Sequence, residues 1–220
     1  MSSNDVSVAS IGRLPLYLRV LTDLSERGVP TVSSETLAEE AGVQSALLRR
    51  DLSQFGSYGV RGVGYNVTML QEAIQEIVGG TRTWRVVIVG AGNLGQALVR
   101  HQGLAEHHFQ VVALVDIMPE LVGTTIDGIP VSHERDLIDV VRRTRAELAV
   151  IATPASAAQD VAEKLLQADI TSILNMAPTT LHVPEHVAVR SVDFAKELQI
   201  LSYHQARRDA GRLTRGGEHG

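Results

Sequence analysis

Apolar positions in the first eighty residues recur at helical spacing. Leu14, Tyr17, Leu18, Leu21 and Leu24 share one face, which predicts a first helix with Pro15 in its opening turn, where a missing N–H is harmless. Gly28 and Pro30 end it. A short second helix is predicted over residues 35–40, capped by Ser33 or Ser34, with Leu37, Ala38 and Ala41 inward and Gly42 closing it. Ser45 is expected to cap a third helix, to about Gln54, with Leu48, Leu52 and Phe55 on its buried face. Residues 56–65 set four glycines among tyrosine and valine, the pattern of a tight β-hairpin. Thr68 and Gln71 then have capping-box spacing for a fourth helix.

The pattern changes after the Gly-Gly-Thr stretch at 79–81. Residues 84–89 form an apolar run suited to a central parallel strand. Further strands are expected at 110–115, 148–152, 172–174 and 187–192. Helices are expected at 94–101, 134–143, 156–168 and 194–208, the third with a capping box at Ser156 and Gln159. This alternation is that of a doubly wound α/β sheet. The expected organisation is a disordered start over 1–12, a domain of helices and a hairpin over 13–79, an α/β domain over 80–193, a C-terminal helix over 194–208 and a disordered tail over 209–220.

Two short helices meeting at Gly42, with small Ala38 at their crossing, make a helix-turn-helix. The third helix then presents Gln44, Ser45, Arg49, Arg50 and Ser53 to a major groove. The hairpin behind it becomes a wing carrying Arg61. A small helical oligomerisation domain is the alternative on pattern alone.

Charge qualifies this reading. The chain carries −5 overall, and residues 1–80 hold six arginines against nine acidic residues. Within 43–66 the balance reverses, with Arg49, Arg50 and Arg61 against Asp51. A local excess of arginine suits bidentate contacts to phosphate or guanine.

Gly90-Ala-Gly-Asn-Leu-Gly95 follows the first strand of the second region and opens a helix. Gly90 permits the tight turn, Gly92 lets backbone approach a pyrophosphate, and Gly95 lets helix and sheet pack closely. Ala91, Asn93 and Leu94 complete the loop. Asp116 stands 21 positions after Gly95, at the end of the next strand. A carboxylate there accepts from ribose hydroxyls and repels a 2′-phosphate, favouring NAD(H) over NADP(H). Thr153, Pro154 and Asn175 fall in loops expected to line the nicotinamide side. A nucleotide fold holding coenzyme A, or nothing, remains open.

Catalytic chemistry is poorly supplied. Six histidines (101, 107, 108, 133, 182 and 186) lie in the second region before its last helix, none at a strand end beside an arginine. No tyrosine is followed four positions later by lysine, and the two lysines fall on predicted helices. A nucleotide domain with no substrate domain has a sensor's anatomy; an NAD-dependent oxidoreductase with a helical extension is the alternative. The chain has no cysteine, which excludes disulfides and thiolate chemistry. It shows no apolar stretch of spanning length and no signal pattern, so a cytoplasmic protein without membrane contact is expected.

These motifs together resemble the redox-sensing repressor family Rex. The likeness rests on Arg13-Leu-Pro-Leu-Tyr17, on Val32-Ser-Ser with Ser45-Ala-Leu-Leu-Arg-Arg-Asp51, and on Gly62-Val-Gly-Tyr-Asn-Val67. It continues through 90–95, Val115-Asp116, Ile173-Leu-Asn-Met-Ala-Pro178, Val183-Pro-Glu-His-Val187 and Val192-Asp-Phe194, covering about residues 13–205. The resemblance implies a winged-helix domain, a Rossmann domain and a homodimer with exchanged C-terminal helices on an inverted-repeat operator. It implies release of operator DNA by NADH, with NAD⁺ competing poorly. It assigns Arg49, Arg50 and Arg61 to DNA, and Phe194 of a second copy to the nicotinamide. It makes Arg13, Asp193 and His101, where some relatives carry tyrosine, members of a polar switch.

Overall fold

The computed structural model describes residues 7–60 and 62–216, with side chains described as far as residue 208. Contacts divide the chain into two units that meet between Arg82 and Thr83, three residues after the glycine pair expected to mark the boundary. Arg61, and the ends expected to be disordered at 1–6 and 217–220, lie outside the described residues.

Helix α1 (Val8–Glu26) begins five residues before Arg13. Ser7 caps it, its hydroxyl accepting from the Ser10 N–H at 3.1 Å, and Ser10 is itself buried. Residues 8–12 are therefore helical, because the capped first turn is held to the rest of the unit. Pro15 consequently falls in the helix interior rather than its opening turn. It leaves the Ile11 carbonyl without its usual partner, at a side of the helix open to water.

Strand β1 (Thr31–Val32) leads into α2 (Ser34–Glu40) and α3 (Ser45–Ser53). Strands β2 (Gly59–Val60) and β3 (Gly64–Asn66) form the expected hairpin, and α4 (Val67–Ile77) closes the unit. The sheet order β1-β3-β2 adds a strand that its two residues did not announce. Gly64, at φ +103, must stay a glycine, since a Cβ there would collide with the Val32 carbonyl oxygen. Asn66 caps α4, its Oδ1 accepting from the Met69 N–H at 2.9 Å, in place of the expected Thr68–Gln71 box. Leu14, Tyr17, Leu21, Leu37, Leu48, Leu70 and Ile74 form one core, each burial favourable by about 2 kcal/mol.

The second unit is a seven-stranded sheet of order β10-β9-β8-β4-β5-β7-β6. Its strands are β4 (Trp84–Val89), β5 (Phe109–Asp116), β6 (Thr125–Ile126), β7 (Ile129–His133), β8 (Leu148–Ile151), β9 (Ser172–Asn175) and β10 (Ala188–Ser191). All neighbours pair parallel except the β6–β7 hairpin. Alternate residues of β4 enter opposite cores: Val87 and Val89 one, Val86 and Ile88 the other. That two-residue period is why the strand reads as an unbroken apolar run. Helices α7 (Leu137–Thr144) and α8 (Ala155–Gln167) cover the first face, and Leu98 and Val99 of α5 (Asn93–Val99) pack on the second.

The chain builds outward from β4 through β5 to β7, then returns to β8 and builds the other way. The turning point lies between β4 and β8, where a ligand crevice opens at the carboxyl ends of the strands. A short α6 (Gln102–Glu106) follows α5, which ends two residues before His101. The last helix, α9 (Phe194–Gly216), runs eight residues past the expected end at 208, through a stretch that holds two glycines but no proline to interrupt the backbone ladder. Phe194, Leu198, Ile200 and Leu201 on it are exposed.

Candidate functional site

The first candidate site is the outer surface of α3. Gly42 (φ +66) ends α2: its N–H reaches the Glu39 carbonyl at 3.0 Å and that of Val43 the Ala38 carbonyl at 2.9 Å, the paired bonds of a Schellman turn. With Leu37, Ala38 and Leu48 buried at the crossing, Gln44, Arg49, Arg50 and Ser53 face solvent and Ser45 is half-buried. Gln44, not Ser45, takes the N-cap of α3, and its side chain makes no capping bond. A groove of about 600 Å³ runs between α3 and the hairpin, bordered by Ser34, Arg49, Ser53, Tyr58 and Tyr65.

The two arginines differ. Arg50 is exposed and pairs with no carboxylate among the described residues. Arg49 places Nη1 2.9 Å from the Ser34 hydroxyl and 3.0 Å from the Glu35 carboxylate, both on α2. Glu35 is held below the usual carboxylate range by its own backbone N–H first, then by Ser34 and Arg49.

Asp51, next along α3, turns inward and is 1% exposed. Its carboxylate accepts from the Ser10 hydroxyl at 2.8 Å, from Arg13 Nε at 2.5 Å and Nη2 at 2.7 Å, and from the Tyr17 hydroxyl at 2.7 Å. Burial alone would push this carboxyl up; the bonds from Arg13, Tyr17 and Ser10 outweigh it and hold it down. The same contact raises Arg13, while Tyr17 is raised by burial first and Asp51 second. Arg13 is thus committed to α3 of its own unit. Ser10, Arg13 and Tyr17 at three- and four-residue spacing, a polar stripe beside the apolar one, are the sequence signal for this network.

The second site gathers the glycine loop, Asp116, Thr153, Pro154 and Asn175 at the carboxyl ends of β4, β5, β8 and β9. Gly90 (φ +104) lies where a Cβ would stand 2.5 Å from the Ala152 carbonyl oxygen, so loop and β8 touch backbone to backbone. A Cβ on Gly95 would strike the Gly90 carbonyl oxygen, which fixes the close approach of α5. Gly92 has open space above it and takes the N-cap of α5 with no capping side chain. Ala91 is buried, Leu94 half-buried and Asn93 exposed.

Asp116 accepts the Ala91 N–H at 2.6 Å and the Met118 N–H at 2.8 Å. Two bonds leave half of its acceptor capacity open, enough for a ribose diol. Thr153 Oγ1 is buried without a hydrogen-bond partner. An orphaned hydroxyl at the mouth of the crevice marks a group kept for something that binds there. A bare Gly92 backbone, a half-used carboxylate and that hydroxyl fit a dinucleotide.

Other expected residues have different duties. Asn175 is buried; its amide donates to the Thr179 carbonyl at 2.8 Å and its oxygen accepts from the Ala177 N–H at 3.0 Å. It shapes the loop after β9 with groups expected to face the ligand. Pro154 is exposed and N-caps α8; the expected Ser156–Gln159 box does not form, because Gln159 bonds the backbone of His182 instead. Phe194 is 61% exposed and follows β10, three strands from β4, or roughly 14 Å away. Asp193 Oδ1 accepts from the N–H groups of Ala195 and Lys196, closing the first turn of α9. His101 is exposed before α6, and no hydrogen bond joins it to Asp193 among the described residues.

Comparison with known proteins places both units. A family model described as "Putative DNA-binding protein N-terminus" matches residues 5–53, and one described as "CoA binding domain" matches 81–179. The chain is 53% identical over 94% of its length to 80% of a redox-sensing transcriptional repressor Rex from Streptomyces coelicolor. It is 44% identical over 95% of its length to the whole of a Rex from Carboxydothermus hydrogenoformans. Among solved structures, RSP with β-NAD⁺ and operator DNA superposes with a TM-score of 0.89 at 33% identity, covering 98% of this chain and all of that one. RSP with β-NADH gives 0.85 at 32%, covering 96% and all of that chain. These relatives are repressors rather than oxidoreductases. The chain belongs to the Rex family of redox-sensing transcriptional repressors.

Proposed function

We propose that this chain is a DNA-binding transcriptional repressor that reads the NADH/NAD⁺ ratio, holding an operator through its first unit and releasing it when NADH enters the second. The observation that carries the reading is the pairing, in one chain, of an outward arginine-bearing helix beside a wing with a glycine-lined crevice whose Thr153 hydroxyl is unbonded. Gln44, Ser45, Arg49, Arg50, Ser53 and Arg61 contact DNA. Residues 90–95, Asp116, Thr153 and Pro154 hold the dinucleotide, and Asn175 shapes their surroundings.

The active species is a homodimer. The exposed stripe of Phe194, Leu198 and Leu201 on a long helix supports this, since such a face is ordinarily covered. Exchange of α9 brings Phe194 of a second copy against the nicotinamide, and two winged helices then meet an inverted repeat. An apolar wall there favours the uncharged reduced ring over the cationic oxidised one, whose desolvation is costly. Arg13, His101 and Asp193 enter as the polar switch; Arg13 and Asp193 would first have to exchange the partners they hold. The cytoplasm is the place of action; no described helix is long and apolar enough to cross a membrane.

The test is a gel shift on a palindromic operator with NADH and NAD⁺ titrated separately. Release at low NADH and persistence at equal NAD⁺ supports the proposal; identical responses overturn it. Coenzyme A is the competing ligand, favoured by the family description over 81–179. Asp116→Ala separates the two: it weakens NADH, whose adenine ribose bears a free diol, more than coenzyme A, whose ribose carries a 3′-phosphate.

A further inference from the structure

Arg49 is held by one nitrogen only. Nη1 meets the Ser34 hydroxyl at 2.9 Å and Glu35 Oε1 at 3.0 Å. No contact takes up Nε or Nη2 among the described residues, and those two form the edge with which an arginine grips a planar pair of acceptors. Arg13 uses that same edge on Asp51. Ser34 and Glu35 belong to the first turn of α2 and Arg49 to α3, so the contact crosses the helix-turn-helix on the groove side. Both charged partners are exposed, at 50% and 69% of their side chains.

We infer that Glu35 is a specificity-determining positioning residue: it buttresses Arg49 so that its free edge is aimed at one base pair, and it cancels charge that would otherwise grip phosphate. The inference rests on the DNA-binding reading above. Bidentate arginine reads the O6 and N7 of guanine, and each such pair carries a large share of discrimination against a wrong base. Non-specific binding follows the net positive charge presented to phosphates. A carboxylate on the far side of the guanidinium therefore acts twice in one direction. It fixes the reading edge for the operator and lowers the attraction of every other duplex. An exposed ion pair adds little to stability, so removing it leaves the fold intact.

The test measures a ratio. Fluorescence anisotropy gives the Kd of the full-length protein for two duplexes at one salt concentration. One carries the inverted repeat that the wild-type protein enriches from a random-sequence pool; the other is a shuffled duplex of equal composition. For Glu35→Gln the ratio of shuffled to operator Kd falls about fivefold, with tighter binding to the shuffled duplex. Ser34→Ala, which removes the second anchor, lowers it less. In an Arg49→Ala background Glu35→Gln leaves the ratio unchanged, because Glu35 acts through that arginine. A ratio that holds or rises in Glu35→Gln, or falls equally without Arg49, overturns the inference. If the wild-type protein itself fails to discriminate, or ignores NADH on the operator, the functional reading fails and takes the inference with it.

Discussion

At the scale of single residues, two buried polar groups have opposite economies. Thr153 Oγ1 is buried and unbonded, whereas Asp51 accepts four hydrogen bonds. Replacing an unsatisfied hydroxyl by a methyl of the same shape removes a desolvation cost. Thr153→Val therefore stabilises the protein by about 1 kcal/mol in urea unfolding while weakening NADH several-fold by calorimetry. A loss of stability with unchanged NADH affinity would make the hydroxyl structural. Asp51 gives a prediction in pH. Its folded-state carboxyl lies below the ordinary value, so its stabilisation is complete above that value and is lost as pH falls through the lowered one. Acid unfolding below about pH 4 thus includes protonation of Asp51. Asp51→Asn costs about 2 kcal/mol at pH 7 and flattens the acid limb of the stability profile; an unaltered limb would exclude the network as its source.

At the scale of elements, α9 offers a prediction through its cap. Asp193→Ala removes the acceptor of two first-turn N–H groups and costs about 1 kcal/mol of helix stability. Because the apolar stripe of α9 lies exposed in a single chain, the loss reads out as a weaker dimer in sedimentation at low concentration. An unchanged association constant would show that the first turn takes no part.

The elements the sequence made legible were those with a local cause. Leu37, Ala38 and Gly42 announce the turn between α2 and α3. Interleaved glycines announce the hairpin, and the apolar run of β4 with Gly90, Gly92 and Gly95 announces the dinucleotide crevice. What escaped was set by distant partners. Thr31 and Val32 form a strand only because Asn66 and Tyr65 lie beside them. The β6–β7 hairpin exists as an edge of a sheet begun elsewhere. Capping boxes at Thr68 and Ser156 failed because Asn66 already caps α4 and Gln159 reaches His182 instead. Pro15 reads as lying near a helix start because nothing in residues 8–12 alone reveals that Ser10 will meet Asp51. In the candidate sites, glycine spacing makes the course of the loop backbone legible, whereas side-chain duty depends on distant partners. Asn175 and Asp193 serve their own backbone, and the Glu35 contact to Arg49 spans 14 positions.

At the scale of the whole molecule, the proposal makes two binding events compete through one equilibrium. A ligand shifts a protein between states only by its difference in affinity for them. If NADH weakens operator binding by some factor, operator weakens NADH binding by the same factor. The most direct test is calorimetric titration of NADH into the free protein and into the operator complex, beside anisotropy titration of operator with and without saturating NADH. The account predicts two equal ratios, each well above one, and ratios near one when NAD⁺ replaces NADH. Operator affinity indifferent to NADH, or two ratios that disagree, would contradict it.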